Sequence, residues 1–270
     1  MIGAIIGDIV GSRWEFHPIK TKVFPLFTSG RNRFTDDTVM TLAVAEALLT
    51  GQRGAVLAKT TTQLMQAAAQ DYPHRGYGRS FRQWLKATHP RPYRSFGNGA
   101  AMRVSACAYA ADTLEEVKRL AFTVTAITHN HHEGLKGAEA TVVAIFMARQ
   151  GASKDEIRAE IEKHYYPLGF TLSQIRPGYE FNETCQGSVP QGIRCFLEAK
   201  SFEDALRNAV SLGGDADTLA AIAGSIAEAY FGVPEQLRNT ALTYLDEHQK
   251  ALIDRFEAAF PQSLIPARRG

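Results

Sequence analysis

The 270-residue sequence lacks the features that mark several common classes of protein. It has only three cysteines, Cys107, Cys185 and Cys195, and none of them forms a CxxC pair. This excludes a disulfide framework and favours a reducing compartment. The apolar start MIGAIIGDIVGSRWEF has no basic segment, and Asp8 interrupts it well short of the ~20 apolar residues of a membrane span. The sequence therefore predicts no signal peptide and no membrane span, and we expect a cytoplasmic protein.

The chain also lacks a marked excess of charge of either sign. It carries 30 lysines and arginines against 28 aspartates and glutamates, a net charge of +2. Such a small excess does not indicate a nucleic-acid-binding protein. Basic residues cluster only between positions 74 and 94, where a solvated loop face is favoured over an anion-binding role. We expect a monomer with neither a nucleic-acid nor a membrane partner.

Alternating, strand-like stretches are scarce, and the best one, TKVFPLF, contains Pro25. Helical spacing dominates instead. It covers 39–49, 57–68, 98–111, 114–124, 132–150, 153–164, 187–199, 202–211, 216–231, 234–246 and 248–259. Many of these segments are rich in alanine and glycine, which let helices pack closely. The sequence therefore predicts an all-α fold, a compact orthogonal multi-helix array in one domain over residues 1–270. Residues 165–186 are the least regular and are predicted to form a long surface excursion.

Two segments place several oxygen-bearing side chains where an apolar helix begins. FTDDTVMT contains Thr35, Asp36 and Asp37, and SLGGDADTLAAIAG contains Asp215, Asp217 and Thr218. Helix capping explains one carboxylate at each start but not two. Neighbouring carboxylates repel unless a cation lies between them, and hard divalent cations prefer oxygen ligands. The hypothesis of a metal site requires the fold to bring the two helix starts together.

A third acidic candidate lies in GAIIGDIVGSRWEF. Gly3, Gly7 and Gly11 recur at helical spacing and predict a flat face for close packing. Asp8 and Glu15 are seven residues apart, so they share one side of the helix if it continues to Glu15. Glu15 is either a surface charge near a helix end or an acid/base partner of the metal cluster.

The segment THNHHEG raises the alternative of a zinc site at His129, His131, His132 and Glu133. Zinc is disfavoured because residues i and i+2 face apart on a helix, and no HExxH motif or cysteine partner accompanies them.

Five segments in order resemble the ADP-ribosylglycohydrolase family, which includes the dinitrogenase reductase-activating glycohydrolase and the vertebrate ADP-ribosyl-acceptor hydrolases. They are GAIIGDIVGSRWEF, FTDDTVMT, SFGNGAAMRVS, THNHHEGLKGAEA and SLGGDADTLAAIAGSIAEAYFG, and they span residues 1 to about 232. The resemblance implies an all-α fold whose central cleft holds two Mg²⁺ or Mn²⁺ ions. It also implies hydrolysis of the glycosidic bond between ADP-ribose and an acceptor.

The substrate implied by the resemblance is an ADP-ribosylated protein, with arginine as one candidate side chain, or a small ADP-ribosyl compound. The alternative is a catalytically silent member of the family that binds ADP-ribose or has a structural role. An α-helical phosphohydrolase is disfavoured, because the His-Asp ligand pairs common in those enzymes do not appear among the motifs.

The resemblance also implies roles for particular residues. The metal ligands would be Thr35, Asp36, Asp37, Asp215, Asp217 and Thr218, and either Glu15 or Asp36 would be the base. The substrate-binding residues would be Ser95, Phe96, Gly97, Asn98, Gly99 and His129. A glycine-rich loop that opens a helix agrees with phosphate binding. Phe96 either stacks on adenine or packs in the core.

Two positions depart from the family pattern. His132 stands where relatives often have proline, so we expect no catalytic role for it. Arg94 stands beside the loop where several relatives have a small residue, and it either adds a phosphate contact or alters access.

Overall fold

The structure is a computed structural model that describes residues 1–261. Fourteen α-helices and one 3-10 helix form its regular structure. They are α1 (Ile2–Gly11), α2 (Asp36–Leu49), α3 (Gly54–Asp71), α4 (Arg79–Lys86), α5 (Gly99–Met102), the 3-10 helix Ser105–Ala108, α6 (Leu114–Ala126), α7 (His132–Arg149), α8 (Lys154–His164), α9 (Leu172–Ile175), α10 (Cys185–Leu197), α11 (Phe202–Leu212), α12 (Ala216–Phe231), α13 (Glu235–Leu242) and α14 (Glu247–Ala259). Within the described residues the only β-type pairing is an isolated antiparallel bridge between Gly97 and Thr184. The predicted all-α fold is confirmed.

Helices α1 and α12 form the centre of the molecule. Every residue of α1 is buried, and α12 is buried from Ala216 to Ala229. The two helices run antiparallel, and a Cβ atom on Gly7 would lie 2.6 Å from the backbone nitrogen of Ala221, with the Ala220 carbonyl nearer still. The three glycines of α1 therefore form the predicted flat packing face, and only glycine fits there without a shift of the backbone.

The antiparallel packing decides which helix ends meet. Gly11, the last residue of α1, lies against Ala216, the first residue of α12. Helix α2 packs against both α1 and α12, while α7, α10 and α11 enclose the other sides of α12. The start of α2, the end of α1 and the start of α12 are therefore brought to one region of the fold.

Several helix ends differ from the predicted ones by one to three residues, helix α4 lies in the basic segment 74–94, predicted as a loop, and three predicted segments differ more. The run predicted over 98–111 divides into α5 and the 3-10 helix, because Arg103 and Val104 adopt turn geometry with ψ of −2° and −3°. The run predicted over 234–246 ends at Leu242. The excursion predicted over 165–186 contains the short helix α9, buries Leu168 and Leu172, and ends where α10 begins at Cys185.

Three further predictions concern the chain as a whole. Among residues 1–261, no helix is long and apolar enough to cross a membrane. The three cysteines are buried and form no disulfide. The single domain predicted over 1–270 includes residues 262–270, which lie outside the described part of the chain.

Candidate metal centre

Carboxylates from remote parts of the chain meet at the ends of α1, α2 and α12. Asp8, Asp37 and Asp217 each offer an oxygen, and these atoms lie within 4.8 Å of one another. Glu15, Asp215 and Asp217 form a second group on the same criterion, so Asp217 belongs to both. The fold therefore brings the starts of α2 and α12 together, as the metal hypothesis requires.

Asp8 organises the start of α2. Its fully buried carboxylate accepts hydrogen bonds from the backbone N–H of Thr35 at 2.9 Å and of Thr38 at 3.0 Å. It also accepts from both threonine hydroxyls, from that of Thr35 at 2.8 Å. Four donors on one carboxylate hold α2 at a set position on α1, which in turn places Asp36 and Asp37. Sequence analysis missed this role, although a single aspartate inside an apolar, glycine-rich helix could have indicated it.

Threonine hydroxyls connect the remaining carboxylates. Thr35 caps α2 by accepting a hydrogen bond from the Asp37 N–H at 3.2 Å. The Thr218 hydroxyl, on α12, lies 3.0 and 3.2 Å from the two Asp37 oxygens and donates to that carboxylate. Because a hydroxyl has one proton and two lone pairs, a threonine that donates to a carboxylate retains a lone pair for a cation.

Asp36 lies at the edge of this cluster and belongs to neither group of three. Its backbone N–H donates to the Arg75 carbonyl at 2.8 Å. A Cβ atom on Gly76, which has φ of +107°, would lie 2.8 Å from an Asp36 carboxylate oxygen. Gly76 therefore leaves the space that the Asp36 side chain occupies, a contribution that sequence analysis missed.

Burial and mutual repulsion raise the pKa of the clustered carboxyls. Burial, followed by the negative charge of Glu15 and Asp36, raises the pKa of Asp215 to about 6. Burial and then the charge of Asp217 raise the pKa of Asp36 and Asp37 well above the ordinary value. Burial and the charge of Asp215 do the same to the pKa of Asp217. These carboxyls cannot all be ionised at neutral pH without positive charge among them.

The donor set fits a hard divalent cation. Every candidate ligand is a carboxylate or hydroxyl oxygen, which is the chemistry that Mg²⁺ and Mn²⁺ prefer. Among the described residues, the groups close enough to share an ion contain carboxylates only, with no histidine or cysteine. Such ions would supply the positive charge that offsets the repulsion among these carboxylates.

Glu15 reaches the cluster from a turn rather than from a helix. The helix does not continue to Glu15, since α1 ends at Gly11 and the Trp14 N–H bonds to the Gly11 carbonyl at 2.7 Å. Glu15 nevertheless joins Asp215 and Asp217 in the second group. Burial, followed by the charge of Asp217, raises the pKa of Glu15 to about 8. It is therefore a titratable carboxyl beside the cluster and not a solvated surface charge.

The loop from Ser95 to Gly99 lies beside the metal centre and is joined to it through Asn98. The Asn98 side-chain amide donates to Asp215 Oδ2 at 2.6 Å and to Ser188 Oγ at 3.1 Å. This side chain is buried and faces the carboxylates, so it orients Asp215. The backbone of the loop pairs with the segment before α10, because the Asn98 N–H donates to the Glu183 carbonyl at 2.7 Å.

The helix after this loop is shorter than predicted. Helix α5 has only four residues, Gly99–Met102. A macrodipole requires a longer run of aligned peptides, so the expected dipole contribution at the loop is small. Anion binding here would depend on individual N–H groups and side chains. Ser95 already uses its hydroxyl to accept a hydrogen bond from the Gly97 N–H at 3.2 Å.

Phe96 belongs to the glycine loop, and His129 packs against it. Phe96 is 43% exposed, so it does not pack in the core, and its ring centroid lies 5.3 Å from that of His131. His129 is buried beneath the loop, and a Cβ atom on Gly99 would lie 3.3 Å from His129 Nε2. Glycine at positions 97 and 99 therefore leaves space in front of this ring nitrogen.

Among the described residues, neither the other two histidines of THNHHEG nor Arg94 belongs to the carboxylate groups. His131 caps α7, its Nδ1 accepting from the Glu133 N–H at 3.2 Å, and His132 is exposed beside Glu133. Within residues 1–261, Arg94 is the only non-glycine residue with positive φ, at 55°. Its N–H donates to Asn130 Oδ1 at 2.7 Å, and its side chain is exposed. Arg94 therefore shapes the entry to the loop through its backbone.

Comparisons with known proteins identify the family of this chain. The family model for ADP-ribosylglycohydrolase matches residues 1–264. The ADP-ribosylhydrolase ARH3 of Homo sapiens is 28% identical, over 90% of this chain and 88% of its own. The ADP-ribosylarginine hydrolase Tri1 of Pseudomonas putida (strain GB-1) is 24% identical, over 94% of this chain and 77% of its own.

A solved structure described as an ADP-ribosylglycohydrolase-related protein complex has the same fold, with a TM-score of 0.73, 24% identity and 97% of both chains covered. The family match extends over the whole described chain, from the glycine face of α1 through the paired aspartates of α2 to α12 and beyond. This chain belongs to the ADP-ribosylglycohydrolase family.

Proposed function

We propose that this protein hydrolyses the glycosidic bond between ADP-ribose and an acceptor, with two Mg²⁺ or Mn²⁺ ions. The acceptor is a side chain of an ADP-ribosylated protein or a small group. One observation carries the proposal: two groups of carboxylates, all buried except the half-buried Glu15, share Asp217 and adjoin a glycine loop that hydrogen-bonds Asp215 through Asn98. The family membership agrees with ADP-ribosyl hydrolysis in general.

The residues that would hold the ions come from both helix starts. They are Thr35, Asp36, Asp37, Asp215, Asp217 and Thr218. Asp8 is assigned a different role, because its carboxylate already accepts four hydrogen bonds from the start of α2. Asp217 belongs to both carboxylate groups, so it is the residue best placed to serve two ions.

The reaction requires water to attack the anomeric carbon of ribose as the acceptor leaves. Ions bound here would supply positive charge that orients the ribose hydroxyls and lowers the pKa of water. The transition state has oxocarbenium character, so the carboxylates beside it stabilise developing positive charge. The residues that would hold the ADP-ribose are Ser95, Phe96, Gly97, Asn98, Gly99 and His129. Phe96 is available to stack on the adenine ring, and Asn98 would act through Asp215.

We assign the base to Glu15 rather than Asp36. The family resemblance implies that Asp36 is a metal ligand, whereas Glu15 is outside that ligand set and lies on a turn next to Asp215 and Asp217. The pKa of Glu15, raised to about 8 by burial and the charge of Asp217, falls when cations neutralise its neighbours. Glu15 would then be ionised at neutral pH and able to take a proton from the attacking water, and this proton would pass to the acceptor atom as its bond to the anomeric carbon breaks.

A substrate panel tests the proposal. Arginine-linked and serine-linked ADP-ribosyl peptides and O-acetyl-ADP-ribose would be incubated with Mg²⁺, Mn²⁺ or EDTA, and free ADP-ribose measured by chromatography. We expect release of ADP-ribose from at least one substrate, dependent on metal. Asp217→Asn should abolish it, whereas Asp254→Asn, at an exposed position on α14, should not. Binding of ADP-ribose with no turnover of any substrate would instead indicate a catalytically silent protein.

A further inference from the structure

His129 is held from behind by a buried arginine and a threonine. One terminal nitrogen of Arg103 lies 2.6 Å from Thr128 Oγ1 and 3.5 Å from His129 Nδ1. Thr128 Oγ1 lies 2.7 Å from the same ring nitrogen. Arg103 is 1% exposed and Thr128 is fully buried, so neither side chain reaches substrate.

The hydrogen-bond donors in this group can be assigned from the chemistry of each side chain. A guanidinium group only donates, so Thr128 Oγ1 accepts from Arg103. The single Thr128 hydroxyl proton then has two acceptors in reach, His129 Nδ1 at 2.7 Å and the Thr125 carbonyl at 3.4 Å. That carbonyl already accepts the N–H groups of Thr128 and His129, at 3.1 and 2.9 Å. The hydroxyl proton therefore goes to His129 Nδ1.

The charge of Arg103 supports the same assignment. Burial lowers the pKa of Arg103 to about 10, so it remains protonated at neutral pH. A proton on His129 Nδ1 would face guanidinium N–H groups 3.5 Å away, which is unfavourable. Burial, followed by the charge of Arg103, also lowers the pKa of His129 well below its ordinary value. The ring is therefore neutral, with Nδ1 as the acceptor.

The other ring nitrogen is left for a ligand. His129 Nε2 makes no hydrogen bond within residues 1–261, and it faces the two loop glycines. Cβ atoms on Gly97 and Gly99 would lie 3.6 and 3.3 Å from it. We propose that Arg103 and Thr128 are positioning residues that fix His129 in the Nε2–H tautomer, so that Nε2 donates a hydrogen bond to the diphosphate of a ligand held by the Ser95–Gly99 loop. The choice of a diphosphate rests on the proposed function.

Two measurements test this inference. In the uniformly ¹⁵N-labelled protein, two-bond ¹H–¹⁵N spectra report the protonation of each ring nitrogen, and His129→Gln identifies the His129 signals. In the wild-type protein without ligand, we expect that Nε2 carries the proton and that Nδ1 carries none and accepts a hydrogen bond. In Thr128→Val, the Nδ1 signal should move toward that of an unbonded ring nitrogen. A protonated Nδ1 in the wild-type protein would overturn the inference.

Affinity for ADP-ribose, measured by calorimetry with Mg²⁺ present, provides the second measurement. Thr128→Val should weaken binding about tenfold, as expected for an oriented hydrogen bond to a charged group. Thr128→Ser should restore it. Thr125→Val is the matched control, because Thr125 is equally buried on the neighbouring turn and its hydroxyl has no partner among the described residues.

Equal affinity of Thr128→Val and Thr125→Val for ADP-ribose would refute the positioning role. If the wild-type protein bound no ADP-ribose at all, the proposed function and the diphosphate would both be rejected. The spectrum of the free protein would still decide the tautomer, so the two failures are distinguishable.

Discussion

Replacing Gly7 by alanine should separate α1 from α12 and weaken the metal centre. The added Cβ atom would lie 2.6 Å from the Ala221 nitrogen and nearer still to the Ala220 carbonyl, whereas real Cβ contacts are essentially never below 3.0 Å, so the helices must move apart by well over the 0.4 Å that the nitrogen alone requires. Overpacking against rigid backbone costs about 3 kcal/mol, and the better helix propensity of alanine offsets about 1 kcal/mol. The net loss of about 2 kcal/mol corresponds to a fall in Tm of about 4 °C for a chain of this length.

The consequence for metal binding follows from the position of the next residue. Asp8 holds the start of α2, so a shift of α1 relative to α12 moves Asp37 away from Asp217. We therefore expect weaker Mn²⁺ binding by calorimetry as well as the lower Tm by calorimetric melting. Gly178→Ala is the control, because a Cβ atom there meets no heavy atom within 4 Å. If Gly7→Ala matched the wild-type protein in both Tm and Mn²⁺ affinity, close contact between α1 and α12 would not position the site.

Three further predictions address the charge of the cluster and its connection to the loop. In EDTA, Tm should fall as pH rises from 5 to 8, because Asp215 and Glu15, with pKa values raised to about 6 and about 8, keep protons in the folded protein that the unfolded chain has already lost. Excess Mn²⁺ should reverse the fall, and a flat Tm in EDTA would contradict the predicted repulsion. Asp217→Asn should raise Tm in EDTA at pH 8 while abolishing ADP-ribose release, because it removes a repelling charge and a ligand together. A lower Tm in EDTA would show that this carboxylate stabilises the fold. Asn98→Ala removes a hydrogen bond to a carboxylate, about 1.5–3 kcal/mol, and should reduce kcat at saturating metal by at least tenfold. An unchanged kcat would show that Asp215 needs no such support.

Asn98 connects the two candidate binding regions. Its backbone N–H is part of the loop pairing with Glu183, and its side chain holds Asp215. A displacement of the loop therefore moves a candidate metal ligand directly. His129 packs against Gly97 and Gly99 of the same loop and is supported by Thr128. Buried side chains thus position the loop, which reduces the reorganisation required when a ligand binds.

Local sequence determined the helices and much of the chemistry. The i, i+3, i+4 spacing of apolar residues identified most helical segments, because the period of an amphipathic helix is a property of the nearby chain. Glycine at every fourth position of α1 predicted a face for close packing, since only the absence of Cβ permits it. Paired aspartates and threonines at the starts of α2 and α12 indicated oxygen ligands, because capping needs fewer of them than are present.

Only the tertiary structure decided how those segments meet. The antiparallel contact of α1 with α12 brings Asp217 within reach of both Asp37 and Glu15, which no spacing along the chain specifies. The folded chain also places Asn98 beside Asp215, and α1 ends before Glu15. These are contacts between residues up to about 200 positions apart in sequence, and their geometry depends on how side chains from several helices fill one space. Residue types therefore determined which ligands were available, and packing determined which of them became neighbours.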